Sequence, residues 1–151
     1  MANCHLVILK KPYLDAILSG KKKVESRFSK SRRNLLNSIK AGDLLFLKQS
    51  SGPVCATARV EKVRFYKNLN SRLIMEIKKQ FNSFICGDED FWQSALDRRF
   101  ATLVRLTDVK RIEPVRINKK DWRAWVVLTE KENFGLFKLI NKCLAGPNKA
   151  V

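Results

Sequence analysis

The stretch Gly20-Lys21-Lys22-Lys23-Val24-Glu25-Ser26-Arg27 lies between an apolar-periodic segment and a basic, serine-containing run, Ser29-Lys30-Ser31-Arg32-Arg33. Upstream, Lys11-Pro12-Tyr13 starts a predicted short helix, with Pro12 near the first turn, where its missing N–H costs little. Leu14, Ile17 and Leu18 fall on one face of that helix at three- and four-residue spacing. Gly20 is placed to end it as a left-handed cap. Lys22 to Phe28 then alternates as a strand, with Lys22, Val24, Ser26 and Phe28 on one face and Lys23, Glu25 and Arg27 on the other. Seven of the fourteen residues from Gly20 to Arg33 are Lys or Arg, and Glu25 is the single acid among them. Such a carboxylate is either the local counter-ion of its neighbours or a working group.

Outward from this stretch, Cys4 to Leu9 reads as a buried strand. Lys40-Ala41-Gly42-Asp43 is a turn before a strand at Leu44–Leu47, and Ser50-Ser51-Gly52-Pro53 is a turn before a long strand, Val54–Tyr66. Residues 4–66 therefore read as a meander interrupted by one helix. Asn68 to Gln80 carries Leu69, Leu73, Ile74 and Ile77 on a helical stripe, Asn82 to Asp88 is a connection, and Asp88-Glu89-Asp90 suits the start of another helix. Phe100–Val109 returns to strand, with Arg111-Ile112-Glu113-Pro114-Val115 ending it. Trp125–Leu128 is a short strand, and Phe134–Cys143 a terminal helix. Few helices separate the early strands. The expected class is therefore α+β, a mainly antiparallel β-barrel with flanking helices, and not a doubly wound parallel sheet.

At 151 residues, 45% of them apolar, the chain has material for one folded domain spanning 1–151. Thirty-one Lys and Arg against fourteen Asp and Glu give a formal charge of +17. A surplus of that size favours a polyanionic partner, RNA or another nucleic acid. The four cysteines, Cys4, Cys55, Cys86 and Cys143, lack zinc spacing and sit in apolar contexts, so they read as buried thiols and no metal or cofactor is expected. Without a signal peptide or a long apolar run, no membrane partner is expected. The chain is expected to be intracellular and cytoplasmic, or nuclear if from a eukaryote.

The ordered set Lys11-Pro12-Tyr13, then Gly20, Lys22, Glu25 and Arg27 in a G-x-K-x-x-E-x-R arrangement, resembles the ASCH domain, a branch of the PUA-like superfamily. Ala41-Gly42-Asp43 and Ile112-Glu113-Pro114-Val115 echo it more weakly. The resemblance covers about residues 4–66 and 100–128, and leaves about 68–99 as a helical insertion. It implies a PUA-like barrel with a cleft near the motif, associated with RNA or nucleotide recognition. Some small members are acetylcytidine amidohydrolases, and nuclease activity is described for others. In the amidohydrolase branch a Lys and a Thr on this strand act with a later Glu. Lys22 matches that Lys, but Glu25 stands at the Thr position and no later Glu is assigned.

The leading expectation is nucleic-acid binding through a basic cleft around this motif. The alternative is a small lysine–carboxylate hydrolase, an amidohydrolase on a modified nucleoside or a ribonuclease, with Lys22 and Glu25 catalytic. In the binding role Lys22 and Arg27 meet phosphate or an exocyclic oxygen, and Glu25 accepts from a base amino group. Lys21, Lys23, Lys30, Arg32 and Arg33 form a phosphate-contacting surface. Tyr13 and Trp122 are the candidate stacking aromatics, and Trp125 is expected in the core. His5, the single histidine, is expected to be structural.

Overall fold

The structure is a computed structural model and describes residues 2–32 and 38–140. The order of elements is β1 (Cys4–Leu9), α1 (Lys11–Leu18), β2 (Val24–Ser29), β3 (Leu44–Gln49), β4 (Val54–Tyr66), α2 (Ser71–Ile85), α3 (Glu89–Ala95), β5 (Phe100–Val115) and β6 (Trp125–Val127). The six strands form one sheet in the order β2-β5-β4-β3-β1-β6. Only β1 and β3 run parallel; every other neighbouring pair is antiparallel. The sheet curls into a half-barrel with flanking helices, the mainly antiparallel α+β class that the strand pattern implies. Across the opening Arg27 of β2 reaches the carbonyl of Ile8 in β1 at 3.1 Å.

The early strands do not form a continuous meander. Strand β2 leaves its sequence neighbours and pairs with β5, from Val24↔Arg105 to Ser29↔Phe100. Strand β1 pairs with β3 from Cys4↔Leu44 to Leu9↔Gln49. A parallel pair needs a long crossover, which α1 and β2 supply. The apolar run of β1 is buried on both faces and takes neighbours on both edges, β3 and β6.

Three other boundaries depart from the sequence pattern. Helix α2 starts later than Asn68 because the Asn70 side chain caps it, accepting from the Leu73 N–H at 2.9 Å. It continues past Gln80 because Phe81, Phe84 and Ile85 extend its packed face, and it ends at Cys86 in the left-handed region, φ 59°. The stretch from Asn82 is therefore mostly helix. Strand β5 runs on to Val115 because irregularities opposite β4 keep the two paired as far as Val54↔Val115. Residues 137–140 are helical, and the remainder of the expected terminal helix, with Cys143, lies outside the described residues.

Inside the curl, Val7, Leu9, Leu45, Leu47, Ala56 and Val104 pack against Leu14 and Ile17 of α1. On the outer face of β2 and β5, Val24, Ala101 and Leu103 meet Ile74, Ile77 and Ile85 of α2 and Trp92 of α3. Truncating Ile74, which is fully buried, to alanine would cost about 2–5 kcal/mol. A third cluster joins Leu6, Phe46 and Val126 with Leu136. Cys4, Cys55 and Cys86 are half-buried, more accessible than their apolar contexts suggest. Among the described residues no helix is long and apolar enough to cross a membrane.

Candidate functional site

Helix α1 ends in a Schellman motif. The N–H of Lys21 bonds the carbonyl of Ala16, and that of Gly20, at φ 82°, bonds the carbonyl of Ile17. Lys22 also donates its backbone N–H to Ala16, so regular strand begins only at Val24. This delay releases Lys22 from strand alternation and lets it meet Glu25. Its side chain is 2% exposed, and the Nζ lies 3.2 Å from Glu25 Oε1. The same ammonium donates to the Val24 carbonyl at 2.9 Å and the Ile85 carbonyl at 2.6 Å. An ammonium has three N–H groups, and three acceptors surround this one. Ile85 closes α2, where the unpaired carbonyls and helix dipole favour a cation.

Glu25 is buried and accepts on Oε2 from Arg27 Nε at 2.9 Å. Arg27 Nη2 is 2.7 Å from the same oxygen. Burial alone would raise the Glu25 pKa, but the Arg27 guanidinium and the Lys22 ammonium outweigh it and hold the carboxyl below the usual carboxylate range. The guanidinium of Arg27 lies 5.4 Å from the ring centre of Trp125. The indole of Trp125 donates to His5 Nδ1 at 3.1 Å, and His5 Nε2 meets Asp43 Oδ2 at 2.8 Å. Indole nitrogen only donates, so Nδ1 accepts and Nε2 carries the proton given to Asp43. Burial lowers the His5 pKa despite the Asp43 carboxylate, in keeping with this neutral ring. Asp43 also accepts from the N–H groups of Asn3 and Lys40 at 2.9 and 3.0 Å, so the Ala41-Gly42-Asp43 turn anchors the chain behind the site.

A cleft of about 970 Å³ opens along β2 and is lined by Tyr13, Lys22, Glu25, Arg27 and Trp122 from the sequence-derived set. Tyr13 stands beside Lys22, with the ammonium 5.2 Å from its ring centre. Burial and the Asp88 carboxylate push the Tyr13 phenol up, keeping it a hydrogen-bond donor. Trp122 is fully exposed at the rim. Its flanks are braced: Arg123 Nη2 bonds Asp121 at 2.8 Å and Glu132 at 2.7 Å, and Lys119 Nζ bonds the Asp121 carbonyl at 2.9 Å. Lys21, Lys23, Lys30 and Arg32 are exposed and do not line the cleft, and Lys30 pairs with Asp97 at 3.0 Å. Arg33 lies outside the described residues.

The cleft also takes residues that the sequence pattern did not single out. Lys10, Lys48, Arg98, Lys119 and Arg123 join Lys22 and Arg27 to give seven cationic lining residues, against the acids Glu25, Asp88, Asp90 and Asp121. Phe91, Ser94 and Ala95 of α3 form one wall, so the segment read as an insertion builds part of the site. Phe91 meets the rings of Tyr13, Phe28 and Trp92 at 6.2, 5.9 and 5.1 Å between centres. Phe91 directly follows the acidic Asp88-Glu89-Asp90 run, which was the only local signal: Asp88 caps α3 by accepting from the Phe91 N–H at 2.7 Å.

A family model described as ASCH domain matches residues 7–141. Among solved structures, the ASCH protein of Zymomonas mobilis is 19% identical, with 90% of this chain and 94% of that chain covered at a TM-score of 0.69. A serine-to-alanine variant of that protein is 20% identical, with 90% and 95% covered and the same TM-score of 0.69. At this identity the likeness speaks for the fold. No curated protein sequence matches the chain.

Proposed function

The chain belongs to the ASCH domain family, and from that premise we propose that it binds nucleic acid, single-stranded RNA in particular, in the cleft beside β2. The observation that carries this reading is the pairing of a fully exposed, braced Trp122 with a cationic majority around one cleft. Aromatic faces stack on bases irrespective of sequence, and Lys and Arg contact phosphates. A volume of about 970 Å³ lies at the upper end of the range for small-ligand clefts and leaves room for a nucleotide with its flanking phosphates. The overall charge of +17 steers a polyanion toward it. In this reading Arg27 and Lys48 meet the backbone, Tyr13 and Trp122 offer ring faces, Lys119 and Arg123 brace Trp122 through Asp121 and Glu132, and the Lys22–Glu25–Arg27 triad holds the floor in place. Lys21, Lys23, Lys30 and Arg32 extend the cationic surface outside the cleft.

The test is fluorescence anisotropy of the full chain with a labelled single-stranded RNA over a series of salt concentrations. Affinity should fall linearly on a log–log plot, with a slope of about −0.7 per phosphate neutralised. Binding that is absent at low ionic strength, or indifferent to salt, overturns the proposal. A hydrolase using Lys22 as nucleophile or base is the weaker reading, because that ammonium already serves three acceptors. Incubation with acetylcytidine and with RNA, followed by product analysis, separates a hydrolase from a binder.

A further inference from the structure

Two buried side-chain polar atoms among the described residues lack a hydrogen-bond partner, Ser26 Oγ and Thr102 Oγ1. Only Ser26 lines the cleft, and it is 5% exposed. The backbone of the same residue is oriented outward too. The Leu106 N–H bonds the Lys23 carbonyl, which places Lys23, Glu25 and Arg27 in the hydrogen-bonded positions of the β2–β5 ladder. Val24, Ser26 and Phe28 therefore turn their N–H and carbonyl groups to the free edge of β2. The Val24 carbonyl is capped there by Lys22. Ser26 is next along that edge. Its backbone turns a donor and an acceptor to that edge, with the buried hydroxyl behind them, beside the aromatic wall of Phe28 and Phe91.

We infer that the edge of β2 at Ser26 is a reading site for one unstacked nucleobase, the backbone N–H and carbonyl pairing with adjacent acceptor and donor groups on its edge and Oγ completing the contact. The inference rests on the proposed RNA binding and adds what is read and by which residue. A base carries a hydrogen-bonding edge and an apolar face, and this half of the cleft offers a polar strand edge next to aromatic rings. A phosphate gains little at this point: the adjoining Arg27 is already bonded to Glu25, and the wall on α3 is Phe91, Ser94 and Ala95. Ser26 Oγ is itself buried, so a base seated at this edge reaches it only as the side chains around it shift.

The experiment uses pentaribonucleotides with one central base flanked by abasic positions, and the all-abasic pentamer as control, measured by anisotropy against the full-length chain. The best of the four bases should bind at least about tenfold more tightly than the all-abasic control. Ser26→Ala should lower that advantage about three- to tenfold while leaving the control affinity and the salt slope unchanged. Equal binding of base-bearing and abasic pentamers, with salt dependence intact, overturns the inference and leaves the RNA proposal standing. Failure of both these pentamers and a longer natural-sequence RNA to bind overturns both. Should Ser26→Ala not fold, the four bases compared on the wild-type chain decide: edge reading separates them, and equal affinity for all four, as stacking on Tyr13 or Trp122 alone would give, overturns the inference.

Discussion

The Lys22 ammonium donates to the Ile85 carbonyl at 2.6 Å across 63 residues of sequence. It ties the approach to β2 to the last turn of α2 and, through Glu25, to Arg27 at the centre of the cleft. The floor of the cleft is thereby built from parts of the chain distant in sequence.

Replacing Lys22 should reveal that tie. Lys22→Met leaves the buried Glu25 with one cation and two carbonyls without a donor, and the expected loss is about 3–5 kcal/mol in urea unfolding. Adding Glu25→Gln should recover part of it, since the uncompensated charge is then gone. A loss below about 1 kcal/mol would show that the triad contributes little to the fold.

Stability should fall on acidification in two windows. The folded His5 resists protonation, so its contribution is full above the ordinary value of 6.5 and is lost as pH drops below it. The depressed Glu25 contributes above its ordinary value of 4.5 and that part is lost as pH falls further. The slope is at most about 1.4 kcal/mol per pH unit for each proton. His5→Gln retains a donor and an acceptor without titrating and should flatten the upper window only. Urea midpoints from pH 7.5 to pH 3.5 check both variants, and an unchanged upper window in His5→Gln would exclude His5 as its source.

Trp122→Ala should leave the thermal midpoint where it is, because a fully exposed ring packs against nothing. RNA affinity should fall about 5- to 100-fold if the ring stacks on a base. Affinity unchanged to within twofold would remove Trp122 from the binding surface.

Trp125→Phe keeps an aromatic face under Arg27 and removes the N–H that satisfies His5 Nδ1. The expected cost is about 1–3 kcal/mol of stability with an unchanged salt slope for RNA. Trp125→Ala should additionally lower RNA affinity, because Arg27 loses its ring support. Equal RNA affinities for the two variants would show that Arg27 does not depend on the ring.

Much of the candidate site is legible along the chain. The helix stripe Leu14–Ile17, the Gly20 cap and the motif residues Glu25 and Arg27 are local features, governed by helix periodicity and backbone conformation, and the structure reproduces that helix and cap. Tyr13 and Trp122 also reach the cleft. Lys22 shows the limit. Alternation from Lys22 onward puts it opposite Glu25, but the Schellman turn delays the strand to Val24 and brings the two side chains together.

Legible in the chain alone are features that are local or summed: the +17 charge, the capped helix before the motif, and the ASCH pattern that names the fold. Tertiary structure decided which cations surround the cleft. Lys10, Lys48, Arg98, Lys119 and Arg123 come from separate segments and converge only once β1 pairs parallel to β3 and α3 packs across β2. It also decided that Ser26 is buried without a partner, because the free edge of β2 exists only after β2 leaves β3 for β5. Hydrophobic patterning specifies which face of a strand is covered. Which edge stays open depends on pairing between residues nearly eighty positions apart, and no local preference encodes that.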